Sequence, residues 1–389
     1  MKNNITRFQK CANCGACRNA CPAGAIDIEK GDVYFSVRVD DAKCIDCGVC
    51  VSVCPVNTTA SAQNIISGYA GYVDDNAVLF KSSSGGMFYI LAKSVIEKGG
   101  VVFGAAFSQD CHSVVFKSTD ETPLFKLQKS KYVESETGAS FAKVKSELDS
   151  GREVLFCATP CQAAGLKRYL GKAYENLLVC DFSCGGLPSH KMYDAYLKSL
   201  EKRFSSKVKA VDFRPKNFGW HSYSIYIKFE NGKVYTRLAT LDPYYKAFLG
   251  GLSKRDYCYA CGFADNHYSD IILADFWKHA QVSDIDNGDR GISLILTNSP
   301  KGEKKIKELA SQMTIRELPV DIASYNIKKI DSSKEAIERH MRFVKAAERD
   351  GFISAVDGAI HTPFIKSVKQ WAKQLLKKGR YEGSEKTRT

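Results

Sequence analysis

Apolar positions along the chain repeat with two different periods, and the change between them falls at glycine and proline. Met87, Ile90, Leu91 and Val95 recur at helical spacing, and Gly99–Gly100 stops the run. The polar stretch KSSSGG (81–86) ahead of them predicts a loop that opens this helix. Elsewhere the apolar runs are short and continuous. GGVVFGA (99–105) lacks G-x-G-x-x-G spacing and is strand-like where a helix should open, which excludes a Rossmann dinucleotide motif. EVLFC (153–157) and NLLVCDF (176–182) predict two strands. Between them Thr159 caps, and Pro160 begins, a helix running to about Leu170. Such a β-α-β unit makes its strands parallel neighbours. AIDIEKGDVYFSVRV (25–39) predicts a hairpin turning near Lys30–Asp32. FRPKNFGWHSYSIYIKF (213–229) mixes aromatics with strand alternation and is expected to pack on the body. At the end, Phe364, Val368, Trp371, Ala372 and Leu375 form one helical face among lysines, expected to dock on its own domain.

Cysteine content changes this picture. The chain has 15 cysteines in 389 residues. No run nears the roughly 18 apolar residues of a membrane helix. The start, MKNNITRFQKC, has no apolar signal segment, so a cytoplasmic location is expected. There, cysteines serve metal or redox chemistry more than disulfides. CANCGACRNACP places Cys11, Cys14, Cys17 and Cys21 as C-x2-C-x2-C-x3-C-P, and CIDCGVCVSVCP repeats it with Cys44, Cys47, Cys50 and Cys54. The two-residue gaps let three thiolates wrap one 4Fe–4S cubane. The fourth cysteine of each run, fixed by Pro22 or Pro55, ligates the other cluster. One cluster then takes Cys11, Cys14, Cys17 and Cys54, the other Cys44, Cys47, Cys50 and Cys21. Zinc is the alternative, but zinc sites seldom combine this spacing with terminal prolines. The formal charge of +13 falls to about +9 with two clusters of roughly −2 each. A basic holoprotein suits acidic carriers or polyanionic cofactors, and nucleic acid is not expected as a partner.

Past Ala60 no further ferredoxin motif occurs. Ser82 to Gly86 admit two readings: backbone amides cradling a cofactor pyrophosphate at a helix N-terminus, or a Ser84 N-cap with two flexible glycines. Cys161 and Cys184 fall just beyond strand C-termini, the edge where open α/β sheets bind ligands. Cys157 and Cys180 fall inside the strands and read as inert buried thiols, and Cys111 as structural. RDYCYACGFADNHYSDIILADFW (255–277) adds Cys258 and Cys261 as a C-x2-C loop before a strand. The four thiols admit a third 4Fe–4S cluster, a structural zinc, or a redox dithiol in the C-x2-C. The seven histidines show no metal spacing. His190 and His267, close to the cysteine loops, are candidate proton donors.

SSSGG (82–86), SKYVES (130–135), ATPCQAAGLKRYL (158–170), DFSCGG (181–186) and CYACGFADNHYSDIILADFW (258–277) occur in one order behind the ferredoxin head. In this the chain resembles the beta subunit of coenzyme F420 hydrogenases and dehydrogenases, and its relative, plant hydroxymethyl-chlorophyll reductase. The likeness covers most of residues 1–300. It departs at Ala158 and Ala274, where the family usually has glycine, and carries little beyond Pro300. The resemblance implies an α+β / α/β architecture: a two-cluster ferredoxin domain (1–62), a mixed-sheet α/β flavin domain (63–325) and a helical C-terminal extension (326–389). It implies FAD, and a third 4Fe–4S cluster on Cys161, Cys184, Cys258 and Cys261. Ser82, Ser83, Ser84, Gly85, Gly86, Ser130, Lys131, Tyr132 and Thr159 become candidate cofactor contacts, with Lys131 also a catalytic candidate. The implied activity is an oxidoreductase working between ferredoxin or another redox carrier and a small organic acceptor or deazaflavin. A polysaccharide-biosynthesis context is known among bacterial members. Two rivals are a non-catalytic electron-transfer subunit of a larger complex and a zinc-stabilised binding protein.

Overall fold

The computed structural model describes residues 3–8, 10–57, 64–282, 284–325 and 330–360. The helical face expected at Phe364–Leu375 and His361 lie outside the described residues. Near the N-terminus, β1 (Ile26–Lys30) and β2 (Phe35–Val39) pair antiparallel as the alternation requires. Ile26, Ile28 and Phe35 are buried. Two short helices, Ala16–Ala20 and Val49–Ser52, each start at a left-handed glycine, Gly15 (φ 84°) and Gly48 (φ 75°). There the chain must turn between the second and third cysteines of each run.

The body is built on β3 (Ser67–Val73), β4 (Val101–Phe107), β5 (Val114–Ser118), β6 (Ser135–Glu136), β7 (Val154–Cys157) and β8 (Leu177–Phe182). A small antiparallel sheet follows, of β9 (Val208–Asp212), β10 (Ser224–Phe229) and β11 (Val234–Leu238). Then come β12 (Ile271–Asp275), β13 (Ser293–Thr297) and β14 (Met313–Leu318). Among the described residues the main sheet has nine strands in the order β14-β3-β13-β12-β8-β7-β4-β5-β6. Its centre, β12-β8-β7-β4, is parallel, and antiparallel strands flank it.

Helices cover both faces of that centre, which is why its strands read as continuous apolar runs. Val101, Phe103, Val154, Phe156, Leu177 and Val179 face the helices Ser140–Asp149 and Pro160–Leu170. Val102, Leu155, Leu178 and Cys180 face the helix Met87–Ile96, which buries Met87, Ile90, Leu91 and Val95. That helix starts from Gly86 (φ 88°) with no side-chain cap, so Ser84 does not cap it. The Thr159–Pro160 start is as expected: the side-chain oxygen of Gln162 accepts from the Thr159 amide at 3.2 Å. A separate aromatic core joins β9–β11 to the helices His190–Phe204, Pro243–Leu249, Lys334–Asp350 and Phe352–Ala359. No helix among the described residues is long and apolar enough to cross a membrane.

Candidate functional site

In the head, Cys21, Cys44, Cys47 and Cys50 line one small cavity. Burial pushes the Cys17 thiol up to about 12, with the charges of Cys11 and Cys54 adding to it. The fold thus brings Cys21 to the second run and Cys54 to the first.

In the body, Cys161, Cys184, Cys258 and Cys261 line a second small cavity. Its segments come from the start of the helix Pro160–Leu170, the loop after β8 and the turn before β12. Burial pushes the Cys258 thiol up to about 12, and Cys184 adds to it. Ala12 of the head closes the cavity, and the Cys161 thiol donates to its carbonyl at 3.7 Å. Gly165 packs so close to Cys14 that a Cβ there would lie 3.0 Å from its Sγ. Head and body thiols therefore meet.

Several sulfurs accept backbone amides: Cys258 from Leu187 at 3.3 Å, Cys261 from Phe263 at 3.4 Å, and Cys184 from Gly186 at 3.4 Å. In the head, Cys11 and Cys21 accept from Asn13 and Ala25 at 3.3 Å. An N–H aimed at sulfur stabilises a thiolate, and such bonds to cluster sulfurs also set cluster potential. The donor sets fit iron–sulfur clusters. Among the described residues, no three His, Cys, Asp or Glu side chains close in as they would on one ion. A cubane is larger than an ion, and spreads its thiolates beyond the roughly 3.8 Å edge of a tetrahedral zinc site with bonds of about 2.3 Å.

A larger cavity, about 270 Å3, opens at the sheet edge beside these thiols. It is lined by Ser82, Ser83, Ser84, Gly86, Ser130, Lys131, Tyr132 and Thr159, with apolar walls from Val114, Phe116, Leu127 and Leu273. Of the candidate cofactor contacts, Gly85 alone does not line it. Its role is packing: a Cβ there would lie 2.4 Å from the Gly71 carbonyl oxygen. Small apolar walls with a polar end fit a flat aromatic cofactor carrying a polar tail. Cys184, Gly186 and Leu187 line both this cavity and the four-thiol cavity.

The serine hydroxyls already have partners. Ser82 donates to Val78 at 2.8 Å, Ser84 to Ile292 at 2.9 Å, and Ser83 accepts the Ser130 amide at 2.9 Å. Lys131 donates to the carbonyl oxygens of Gln128 (2.7 Å) and Lys129 (3.2 Å). Burial lowers its amine to about 7. His190 and His267 do not line the cavity. His190 is buried against the Glu134 carboxylate (2.7 Å) and stacks on Phe35 of the head at 4.4 Å. His267 pairs with the buried Asp181 at 2.8 Å.

The sequence reading missed a buried network behind the serine loop. Arg214 forms a two-pronged pair with Asp275 (2.8 and 3.2 Å) and donates to the Ser83 carbonyl (3.1 Å). Trp220 donates to Asp275 at 2.9 Å. Lys216, lowered to about 7 by burial, donates to the Ser84 carbonyl at 2.8 Å. The available signal was Asp275, an acidic residue ending an apolar strand on the ligand edge. Cys157 is a correction: it is half-buried and lines the cavity, because β7 ends there and the edge opens.

Residues 10–58 match the model of the 4Fe-4S dicluster domain, and residues 151–322 match that of the C terminus of the coenzyme F420 hydrogenase/dehydrogenase beta subunit. No curated protein matches the chain. Among solved structures, a chain of the F420-reducing [NiFe] hydrogenase complex from Methanosarcina barkeri is similar at 15% identity and a TM-score of 0.44. The similarity covers 75% of this chain and 94% of that one. The protein joins a 4Fe–4S dicluster domain to the C-terminal domain of such a beta subunit, and is an iron–sulfur electron-transfer protein of an oxidoreductase-associated family.

Proposed function

We propose that this chain is an iron–sulfur flavoprotein oxidoreductase working between a ferredoxin-type carrier and an organic acceptor, with three 4Fe–4S clusters and FAD as cofactors. The observation that carries this reading is the shared wall: Cys184, Gly186 and Leu187 border both the four-thiol cavity and the larger one. Cys161, Cys184, Cys258 and Cys261 would hold the third cluster. Ser83, Ser130, Lys131 and Tyr132 would border the flavin. Bound there, FAD supplies the exchange between one-electron and hydride-level chemistry. Lys131 holds a proton at the cavity below about pH 7 and releases it above. The net positive charge suits an acidic carrier and a polyanionic acceptor such as a deazaflavin equally.

Iron, zinc and flavin are measured per chain on anaerobically purified protein. About twelve irons with one FAD support the proposal. About eight irons with zinc and no flavin would confine redox chemistry to the head and sink it.

A further inference from the structure

Two cysteines outside every cluster set face each other in the cavity wall. Cys157, at the end of β7, is the direct Cα partner of Cys180 on the parallel neighbour β8. Neighbouring strands stand about 4.7–4.9 Å apart, inside the roughly 4.4–6.8 Å Cα window of a disulfide. Both side chains lie on the sheet face under the helix Met87–Ile96, packed in one core. Both are free thiols: Cys157 is half-buried and lines the large cavity, while Cys180 is fully buried behind it. The Cys180 thiol is held well above its ordinary value, first by its hydrogen bond with Cys157 and then by burial. The buried Lys131 ammonium is close enough to Cys157 for a thiolate there to favour its charge. Two inert core thiols do not need one member opening on a cavity beside a lysine.

We propose that Cys157 and Cys180 are a redox-active pair that closes to a reversible disulfide in the cavity wall, with Cys157 attacking and Cys180 resolving. The co-reactant is a small disulfide of the glutathione type. The Cys157 thiolate attacks one of its sulfurs, forming a mixed disulfide and expelling one thiolate. Cys180 then attacks the Cys157 sulfur, forming the internal bond and expelling the second. Two thiols of the chain are oxidised and one external disulfide is reduced to two thiols; a small dithiol reverses the reaction. The pair needs the cavity and not what fills it, so the inference stands apart from the proposed flavin.

The test exposes anaerobically purified full-length holoprotein to oxidised glutathione, with iron content followed in parallel. The protein is then denatured, alkylated, digested and weighed. Trypsin places Cys157 with Cys161 between Arg152 and Lys167, and Cys180 with Cys184 in another peptide. Fragment ions and two variants therefore make the assignment. The expected result is a linked pair of peptides lighter by two hydrogens, joined at Cys157 and Cys180, reversed by dithiothreitol, with iron unchanged. Cys180→Ser should trap glutathione on Cys157, and Cys157→Ser should leave Cys180 alkylated. Full alkylation of both cysteines at retained iron overturns the proposal. So does a link that maps to Cys161 and Cys184, or one that forms only as iron is lost.

Discussion

Replacing Arg255 with methionine asks how the ferredoxin head is held against the body. Glu134 is fully buried. One of its carboxylate oxygens accepts the amides of Phe35 and His190, both at 3.2 Å, and pairs with His190 Nδ1 at 2.7 Å. The other accepts from Arg255 at 3.1 Å, while Arg255 Nε donates to the carbonyl of Cys11 at 2.7 Å. Phe35 and Cys11 belong to the head, Glu134 and Arg255 to the body, so the pair spans the junction. Arg255→Met keeps most of the volume but leaves a carboxylate without its cation. Breaking one side of a buried pair costs about 3–5 kcal/mol. That is more than a hundredfold in a local opening equilibrium. Hydrogen exchange at the amides of Phe35 and His190 should rise by at least that factor, with the centre of the main sheet unaffected. Glu134→Gln added to Arg255→Met should recover part of the loss, because the penalty lies in the unpaired charge. Unchanged exchange at both amides in Arg255→Met would refute this account of the junction.

Three further outcomes follow from the site. Gly104→Leu should abolish flavin while leaving iron at the wild-type level: Gly104 lines the large cavity, has no positive φ, and a Cβ there meets nothing closer than 3.7 Å. Cys161→Ala should lower iron from about twelve to about eight per chain, with the head clusters intact by electron paramagnetic resonance. Burial lowers Lys131 to about 7 from 10.5, so the unfolded chain binds the extra proton between those values and this lysine's contribution to stability rises with pH across them. Acetylation of Lys131 in the native protein should show a midpoint near pH 7, and a midpoint near 10 would contradict its burial.

Legibility followed the range of the interactions. The helix Met87–Ile96, the Thr159–Pro160 start and the parallel β7–β8 pair rest on local spacing and one chirality rule, and they stood in the sequence. The Arg214–Asp275 pair joins residues 61 apart, and no local period marks it. His190 shows why proximity along the chain misleads. It lies six residues after Cys184, yet it opens a helix whose first turn faces the head, so its ring meets Phe35 and Glu134 rather than the cavity. Cys157 failed for a different reason. A strand's last residue is apolar in pattern but borders the open edge, and only the register of β7 against β8 shows that.

The stretch DFSCGG couples the two cavities, and its second glycine makes that coupling testable. Gly186 adopts φ 105°, and a Cβ there would lie 2.6 Å from the Lys254 side chain. Gly186→Ala therefore meets both backbone strain and a contact in the middle of a side chain, and the loop carrying Cys184 must shift. Because Gly186 borders both cavities, that shift should remove flavin and about four irons together. Gly104→Leu should remove flavin alone, and Cys161→Ala should remove iron first. If Gly186→Ala instead loses flavin with all twelve irons retained, the loop bends without moving its cysteine, and the shared wall is proximity without coupling.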